Sequence, residues 1–161
     1  MIGFGYDIHR FTPHRPLVLG GVTIPHDLGL DGHSDADVLS HAIADAILGT
    51  LALPDIGHWF PPGDPACKDI SSLKILEKAA SLIRDEGYEL VNIDSTIVAE
   101  APKILPHRDA MHDAIGAAIG LPPERIGIKA TTNELLGALG RREGIAAMAV
   151  AQIRPLASHD A

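Results

Sequence analysis

The sequence contains a single cysteine, Cys67, so the chain cannot close an internal disulfide, which points to a reducing compartment. Basic residues are scarce: 13 Lys and Arg stand against 21 Asp and Glu, for a net charge of -8. That balance argues against nucleic acid as a partner, because phosphate backbones demand clustered cations. It leaves room for a small phosphorylated ligand, since a local pocket and a bound metal can oppose the global sign. No apolar run approaches the ~20 residues needed to cross a bilayer, and the chain begins directly on strand-like sequence with no signal or transit peptide, so a soluble protein of the bacterial cytoplasm is expected. At 161 residues, 46% hydrophobic and 21% charged, a single globular domain with a real core is expected over 1–161.

Two short stretches concentrate the polar chemistry. Gly5-Tyr6-Asp7-Ile8-His9-Arg10-Phe11 has the period of a strand, with Phe4, Tyr6 and Ile8 against Asp7, His9 and Phe11. Residues two apart on a strand share a face, so Asp7 and His9 stand side by side. His33-Ser34-Asp35-Ala36-Asp37-Val38-Leu39-Ser40-His41 opens a helix, with Ser34 or Asp35 as N-cap and Asp37 in the first turn. His41 follows Asp37 by four residues, on the same side. One carboxylate and two imidazoles can then converge from separate elements. Three N/O ligands with a fourth position open make a catalytic zinc site. A strand Asp-x-His is more often a hydrogen-bonded pair, and a lone helical histidine is more often not a ligand. The density of the cluster beside an otherwise apolar helix tips the balance, because buried polar groups need partners.

Elsewhere the chain reads as follows. Leu17 to Ile24 gives two extended runs about a Gly20-Gly21 turn. A helix spans about Asp37 to Leu51 with Leu39, Ala42, Ile43, Ala46 and Ile47 as its core stripe; Asp45 is expected to be solvated. Leu53 to Pro65, rich in Pro and Gly, excludes regular structure and carries the only tryptophan, Trp59, beside Phe60, as a lid or an anchored loop. A helix capped by Ser71 or Ser72 runs to about Glu86, with Leu73, Leu76, Ala80 and Ile83 inward, and ends at Gly87. Tyr88 to Glu100 is a long strand, Pro106 starts a helix ending before Gly120, Arg125 to Ala130 is a strand, and Glu143 to Ile153 is a last strand of small apolar residues. The tail from Arg154 (154–161) is expected to be loose. The fold class expected is α+β, a mixed sheet covered on one face by helices. The last strand leaves little polar face for solvent, so a sheet-mediated homo-oligomer is expected.

Lys129-Ala130-Thr131-Thr132-Asn133-Glu134 reads as a strand-to-helix junction. There, helix N–H groups and the Thr131 and Thr132 hydroxyls suit phosphate, and Glu134 suits a divalent cation. The plainer alternative is a capping box of Thr131 with Glu134. Lys103 lies between prolines and can meet phosphate or water, and Arg141 and Arg142 precede the last strand.

Together the stretches G-Y-D-I-H-R-F, G-H-S-D-A-D-V-L-S-H-A, D-I-G-H-W-F-P, A-P-K-I-L-P-H, K-A-T-T-N-E and G-R-R-E-G-I-A closely resemble the 2-C-methyl-D-erythritol 2,4-cyclodiphosphate synthase family over residues 3 to about 153. The resemblance implies a homotrimer whose sheets pack around the trimer axis, with active sites between subunits. It implies zinc on Asp7, His9 and His41, and a second cation, magnesium or manganese, held with Glu134. The implied reaction closes 4-diphosphocytidyl-2-C-methyl-D-erythritol 2-phosphate into the cyclic diphosphate and releases CMP. His33, Thr132 and Glu134 would be the catalytic groups. Asp7, His9, His33 and Ser34 would meet the substrate, with Asp55, Ile56, Gly57, Phe60 and Asp64 around the erythritol. Ala99, Ala101, Pro102, Lys103, Leu105, Thr131, Thr132 and Arg141 would contact the cytidine diphosphate part. Asp37 and Asp45 would be structural. In some members an isoprenoid diphosphate sits at the axis. Here Leu135 and Ala138 replace a lysine and a phenylalanine, which weakens that expectation, although Arg141 and Arg142 remain. Pro62 replaces a usual acidic residue. Two rivals stand beside this reading: a zinc phosphoesterase, and a non-enzymatic sensor of isoprenoid diphosphates with a structural zinc closed by a fourth ligand such as His33.

Overall fold

A computed structural model describes residues 1–156 of the chain. The first strand, β1 (Ile2–Thr12), turns Phe4, Tyr6 and Ile8 to solvent and Gly3, Gly5, Asp7 and His9 inward. The inward glycines are what the neighbouring helix α1 (Val38–Gly49) requires. A Cβ at Gly5 would stand 2.0 Å from the Ala42 carbonyl oxygen, and one at Gly3 would stand 2.1 Å from that of Ala46. Strand and helix therefore meet at backbone distance, and small residues on both sides allow it. The large side chains of α1, among them Leu39, Ile43 and Ile47, are wholly buried; each contributes about 1.5–3 kcal/mol on leaving water.

The remaining elements extend this pair. The chain continues through β2 (Leu17–Leu19), β3 (Val22–Ile24), β4 (Gly29–Leu30), α2 (Ile56–Trp59), α3 (Ser72–Asp85), β5 (Tyr88–Val98), α4 (Arg108–Ile119), β6 (Ile126–Thr131), α5 (Gly137–Gly140) and β7 (Gly144–Pro155). The main sheet has the order β4-β1-β7-β5-β6 and is mixed: β5 and β6 run parallel, the other pairs antiparallel. β2 and β3 form a separate hairpin whose turn, Gly20-Gly21, has positive φ at both residues. α1 packs on β1, β7 and α3, and α3 packs on α4, so helices cover one face. Among the described residues the other face is uncovered, apolar on its β1 side, with Phe4 63% exposed and Tyr6, Ile8 and Val150 beside it, and polar toward β6, where Lys129 pairs with Asp94. No helix among the described residues is long and apolar enough to cross a membrane.

Several boundaries differ from the sequence reading. Asp37, not Ser34 or Asp35, is the N-cap of α1, accepting from the Ser40 backbone N–H. Its carboxylate is fully buried and also accepts from Gly20 N, Gly21 N and Ser40 Oγ, so it fastens the glycine hairpin to the helix start. The Pro-rich loop holds a short helix, α2, because Asp55 caps it, and a 3-10 turn at Pro65–Cys67 capped by Asp64. No helix starts at Thr131–Glu134. Glu134 and Leu135 both take positive φ (51° and 61°), which turns the backbone sharply, and only four residues later on become helical as α5. Arg154 and Pro155 are not loose: they pair with Glu89 and Tyr88, and Leu156 N donates to the Gly87 carbonyl. The rest of the expected tail, 157–161, lies outside the described residues.

Candidate active site

The close contact of β1 with α1 brings three potential ligands to one point. Asp7 follows Gly5 by two positions on the same face, and His41 precedes Ala42, the residue against which Gly5 packs. Asp7 Oδ2 lies 2.9 Å from His9 Nε2 and 3.0 Å from His41 Nδ1, and the two ring nitrogens are 3.2 Å apart. Among the described residues this is the one group of three or more such side chains that can share an ion. Burial pushes the Asp7 carboxyl up, but hydrogen bonds from His41 and His9 outweigh it and hold the group well below the usual carboxylate range. Burial lowers His9, yet the Asp7 carboxylate opposes it and leaves the imidazole above its ordinary value. The Asp7 carboxylate thus favours a proton on His9, which a divalent cation would replace.

The environment fits a cation. His9 Nδ1 donates to the Asp31 carbonyl at 2.5 Å, which leaves Nε2 facing the cluster. His41 is 7% exposed at its side chain, Asp7 25%, so the site is sheltered on one side and open on the other. The open side is a cavity of about 210 Å³ lined by Asp7, His9, His33, Ser34, His41, Ile56, Gly57 and Phe60, together with Pro62, Cys67, Ile70 and Ile75. Arg15 donates from both terminal nitrogens to the carbonyls of Gly32 and Ser34, pinning the loop that carries His33 and Ser34. His33 Nε2 donates to the Asp64 carbonyl at 3.2 Å. Among the described residues no fourth ligand joins the group; His33 stands outside it.

The other expected contacts divide. Asp55 and Asp64 do not line the cavity, and their carboxylates accept from His58 N and Ala66 N as turn caps. Asp45 is not simply solvated: it accepts from Ile56 N at 2.9 Å and so ties α2 to α1. Burial, with Asp55 and Asp7 nearby, raises its pKa. A second cavity, about 350 Å³, lies at the C-terminal ends of β5 and β6 and is lined by Ala99, Pro102, Lys103, Leu105, Thr131 and Thr132 with Glu100, Ile104, Pro106 and Ala130. It shares no residue with the first. Ala101 is adjacent in sequence but does not line it. Glu134 sits beside Thr132, whose hydroxyl donates to Glu134 Oε1 at 3.2 Å. The backbone N–H groups of Asn133 and Leu135 at this junction are taken by the Glu100 carboxylate at 2.9 and 3.1 Å. Arg141 pairs with Glu143 at 2.6 Å on the surface.

Sequence reasoning missed Glu100, Cys67 and Arg15. Glu100 ends a strand-like run, where an acidic residue is unremarkable, and Arg15 acts on backbone carbonyls, which leave no trace in side-chain spacing.

Comparison with known proteins decides the family, since the YgbB family profile matches residues 1–154. The chain belongs to the YgbB family. A relative from Akkermansia muciniphila, a 2-C-methyl-D-erythritol 2,4-cyclodiphosphate synthase, is 67% identical over 154 residues, covering 95% of this chain and 91% of the relative. The fold matches a structure of the bifunctional IspDF from Campylobacter jejuni with TM-score 0.92 and 41% identity, over 96% of this chain but 42% of that longer one. It also matches a CDP-bound 2C-methyl-D-erythritol-2,4-cyclodiphosphate synthase with TM-score 0.87 and 36% identity, over 96% of this chain and 100% of that one. YgbB membership accounts for the spaced motifs noted from the sequence, and the Asp7–His9–His41 group supports a metal-dependent enzyme.

Proposed function

We propose that Asp7, His9 and His41 hold a zinc ion and work together with the Ala99–Thr132 cavity of a neighbouring copy. The chain acts as a lyase of its family, converting 4-diphosphocytidyl-2-C-methyl-D-erythritol 2-phosphate to 2-C-methyl-D-erythritol 2,4-cyclodiphosphate and CMP in isoprenoid precursor biosynthesis. An oxygen of the 2-phosphate attacks the β-phosphorus, the bond from that phosphorus to the bridging oxygen breaks, and CMP leaves carrying the oxygen. The attacking group belongs to the substrate, so no protein nucleophile is needed. The protein's task is alignment and charge.

A cation bound at the triad supplies Lewis-acid polarisation of the diphosphate and offsets charge in the transition state. Around it, the His33 ring and the Ser34 hydroxyl at the cavity wall orient the attacking phosphate. Ile56, Gly57 and Phe60 exclude water from the sugar alcohol, with Asp55 and Asp64 bordering the same loop. Lys103 and the Thr131 and Thr132 hydroxyls meet the nucleotide phosphates, and Glu134 would hold a magnesium or manganese ion that offsets their charge. Arg141, paired here with Glu143, is the further cation expected to contact the substrate.

Two observations support a homotrimer with shared sites. The metal group and the nucleotide cavity lie on different strands of one sheet and share no lining residue, and the apolar surface bearing Phe4, Tyr6 and Ile8 lacks a cover among the described residues. The loss of aromatic and lysine character at Ala138 and Leu135, with Arg141 engaged by Glu143, weakens the case for an isoprenoid diphosphate at the axis.

The observation that carries the site reading is the three-ligand group facing an open cavity. Its test is a turnover assay that follows CMP and the cyclic product, with zinc quantified, for the parent and His41→Ala. Stoichiometric products that vanish with the zinc in a folded variant are expected. Linear phosphate products would mean a hydrolase, and zinc binding without turnover would mean a sensor.

A further inference from the structure

We propose that Ser72 and Asp35 are positioning residues for the metal, forming a relay that holds the His41 ring in the one tautomer able to bind a cation and leaves Ser34 free for substrate. This rests on the reading of Asp7, His9 and His41 as metal ligands. His41 turns Nδ1 toward Asp7 and Nε2 away, between Ser72 Oγ at 2.9 Å and Ser34 Oγ at 3.1 Å. A cation on Nδ1 needs its lone pair, so the single proton of the neutral ring has to sit on Nε2 and find an acceptor.

The two serines are not equivalent. Ser72 Oγ donates its only proton to Asp35 Oδ1, so its lone pairs are what remains for His41. Asp35 is itself fixed from both sides, accepting from Ser72 N at 2.9 Å and from Asp37 N at 3.3 Å. Ser72 is fully buried. It is also not needed as the helix cap, because Ser71 fills that role by accepting from Leu73 N. Ser34 Oγ accepts from Ala36 N and keeps its own proton unassigned, and Ser34 lines the open cavity. The structure thus gives His41 a hydroxyl backed by a carboxylate, whereas His9 is held by the Asp31 carbonyl alone. The backbone pairs Asp69 N to His33 O and Asp35 N to Ile70 O hold the start of α3 against the loop that carries the relay.

The test measures zinc(II) affinity of the folded protein by competition with a chromophoric chelator, and the visible spectrum of the cobalt(II) form, with circular dichroism as the fold check. Ser72→Ala is expected to weaken zinc binding by ~10–100-fold and to shift the cobalt bands. Ser72→Thr, which keeps the hydroxyl, is expected to restore both. Ser34→Ala is expected to leave zinc affinity within about three-fold while turnover falls, because its proton serves the substrate. Should Ser72→Ala not fold, Asp35→Asn carries the test, since it keeps the shape and removes the charge behind the relay. Parent-like zinc affinity and cobalt spectrum in a folded Ser72→Ala or Asp35→Asn protein would overturn the relay even if activity dropped. A parent that binds neither ion would instead sink the metal reading itself, and the relay with it.

Discussion

At β1 and α1, the Asp7–His9–His41 group is held by a strand and a helix in backbone contact, with each of the three side chains buried or half-buried. The second cavity is walled by the last residues of β6 and by the loops that follow β5 and β6, and Lys103, Thr131, Thr132 and Glu134 are exposed. The first region owes its geometry to packing within one chain. The second carries its polar side chains on an open surface. The difference suits a reaction with two demands: a cation site must be preformed, because ligand geometry cannot be loose, while a nucleotide site has to open for entry and release.

The largest effect is expected where the first region depends on contact. Gly5→Ala would place a methyl 2.0 Å from the Ala42 carbonyl, which no rotamer can relieve. Overpacking commonly costs about 1–3 kcal/mol, and a backbone clash belongs at or above the upper end. The variant should therefore melt several degrees lower and purify with little zinc. A parent-like melting temperature and full metal content would break the account of how the triad is positioned. Next comes the bare face. Phe4→Asp, on a side chain 63% exposed in the single chain, should leave the metal bound but yield a monomer by sedimentation, with turnover lost.

A smaller change is expected in the second region. Lys103→Ala should raise KM by roughly 10–100-fold, the range for losing a charge-assisted hydrogen bond, with zinc stoichiometry untouched. An unchanged KM would remove Lys103 from the nucleotide contacts. In the metal-free protein, His9 has a raised pKa while Asp7 stays ionised. The stabilisation from this pair is therefore fully present below the unfolded imidazole value of 6.5 and is lost as pH rises through the folded value. Metal-free protein should melt higher at pH 6 than at pH 8, and saturating zinc should reverse the order, because the cation competes with that proton. The smallest effect is at Asp45. Its raised pKa means that the ionised form costs stability above the folded value, so Asp45→Asn, which retains an acceptor for Ile56 N, should alter stability at pH 7 by no more than about 0.5 kcal/mol, and upward if at all.

The Asp7–His9–His41 cluster was legible from the two-residue period that pairs Asp7 with His9 on a strand and from the density of polar residues around His41, whereas the four-residue step from Asp37 to His41 played no part, since Asp37 faces the glycine hairpin; the mixed sheet with one covered face followed from the order of elements. The face of β1 that meets the core was not legible from apolar character, since the bulkier Phe4, Tyr6 and Ile8 point outward and glycine is the signal for the buried side. The Thr131–Glu134 junction misled because two non-glycine residues, Glu134 and Leu135, take left-handed backbone, a choice fixed by the Glu100 carboxylate across 33 and 35 residues of sequence. Asp45 misled similarly: its partner, Ile56 N, lies beyond its own helix.

The central claim is that the metal half and the nucleotide half of each working site come from different copies. It is tested most directly by mixing His41→Ala, which lacks the first half, with Lys103→Ala combined with Glu134→Ala, which lacks the second, after reversible dissociation. Random mixing around a closed ring leaves about one site in four with both halves intact, so turnover should rise to roughly that fraction of the parent from two inactive proteins. Mixed assemblies that form, as shown by mass spectrometry, yet stay inactive would contradict the claim and return the whole site to a single chain.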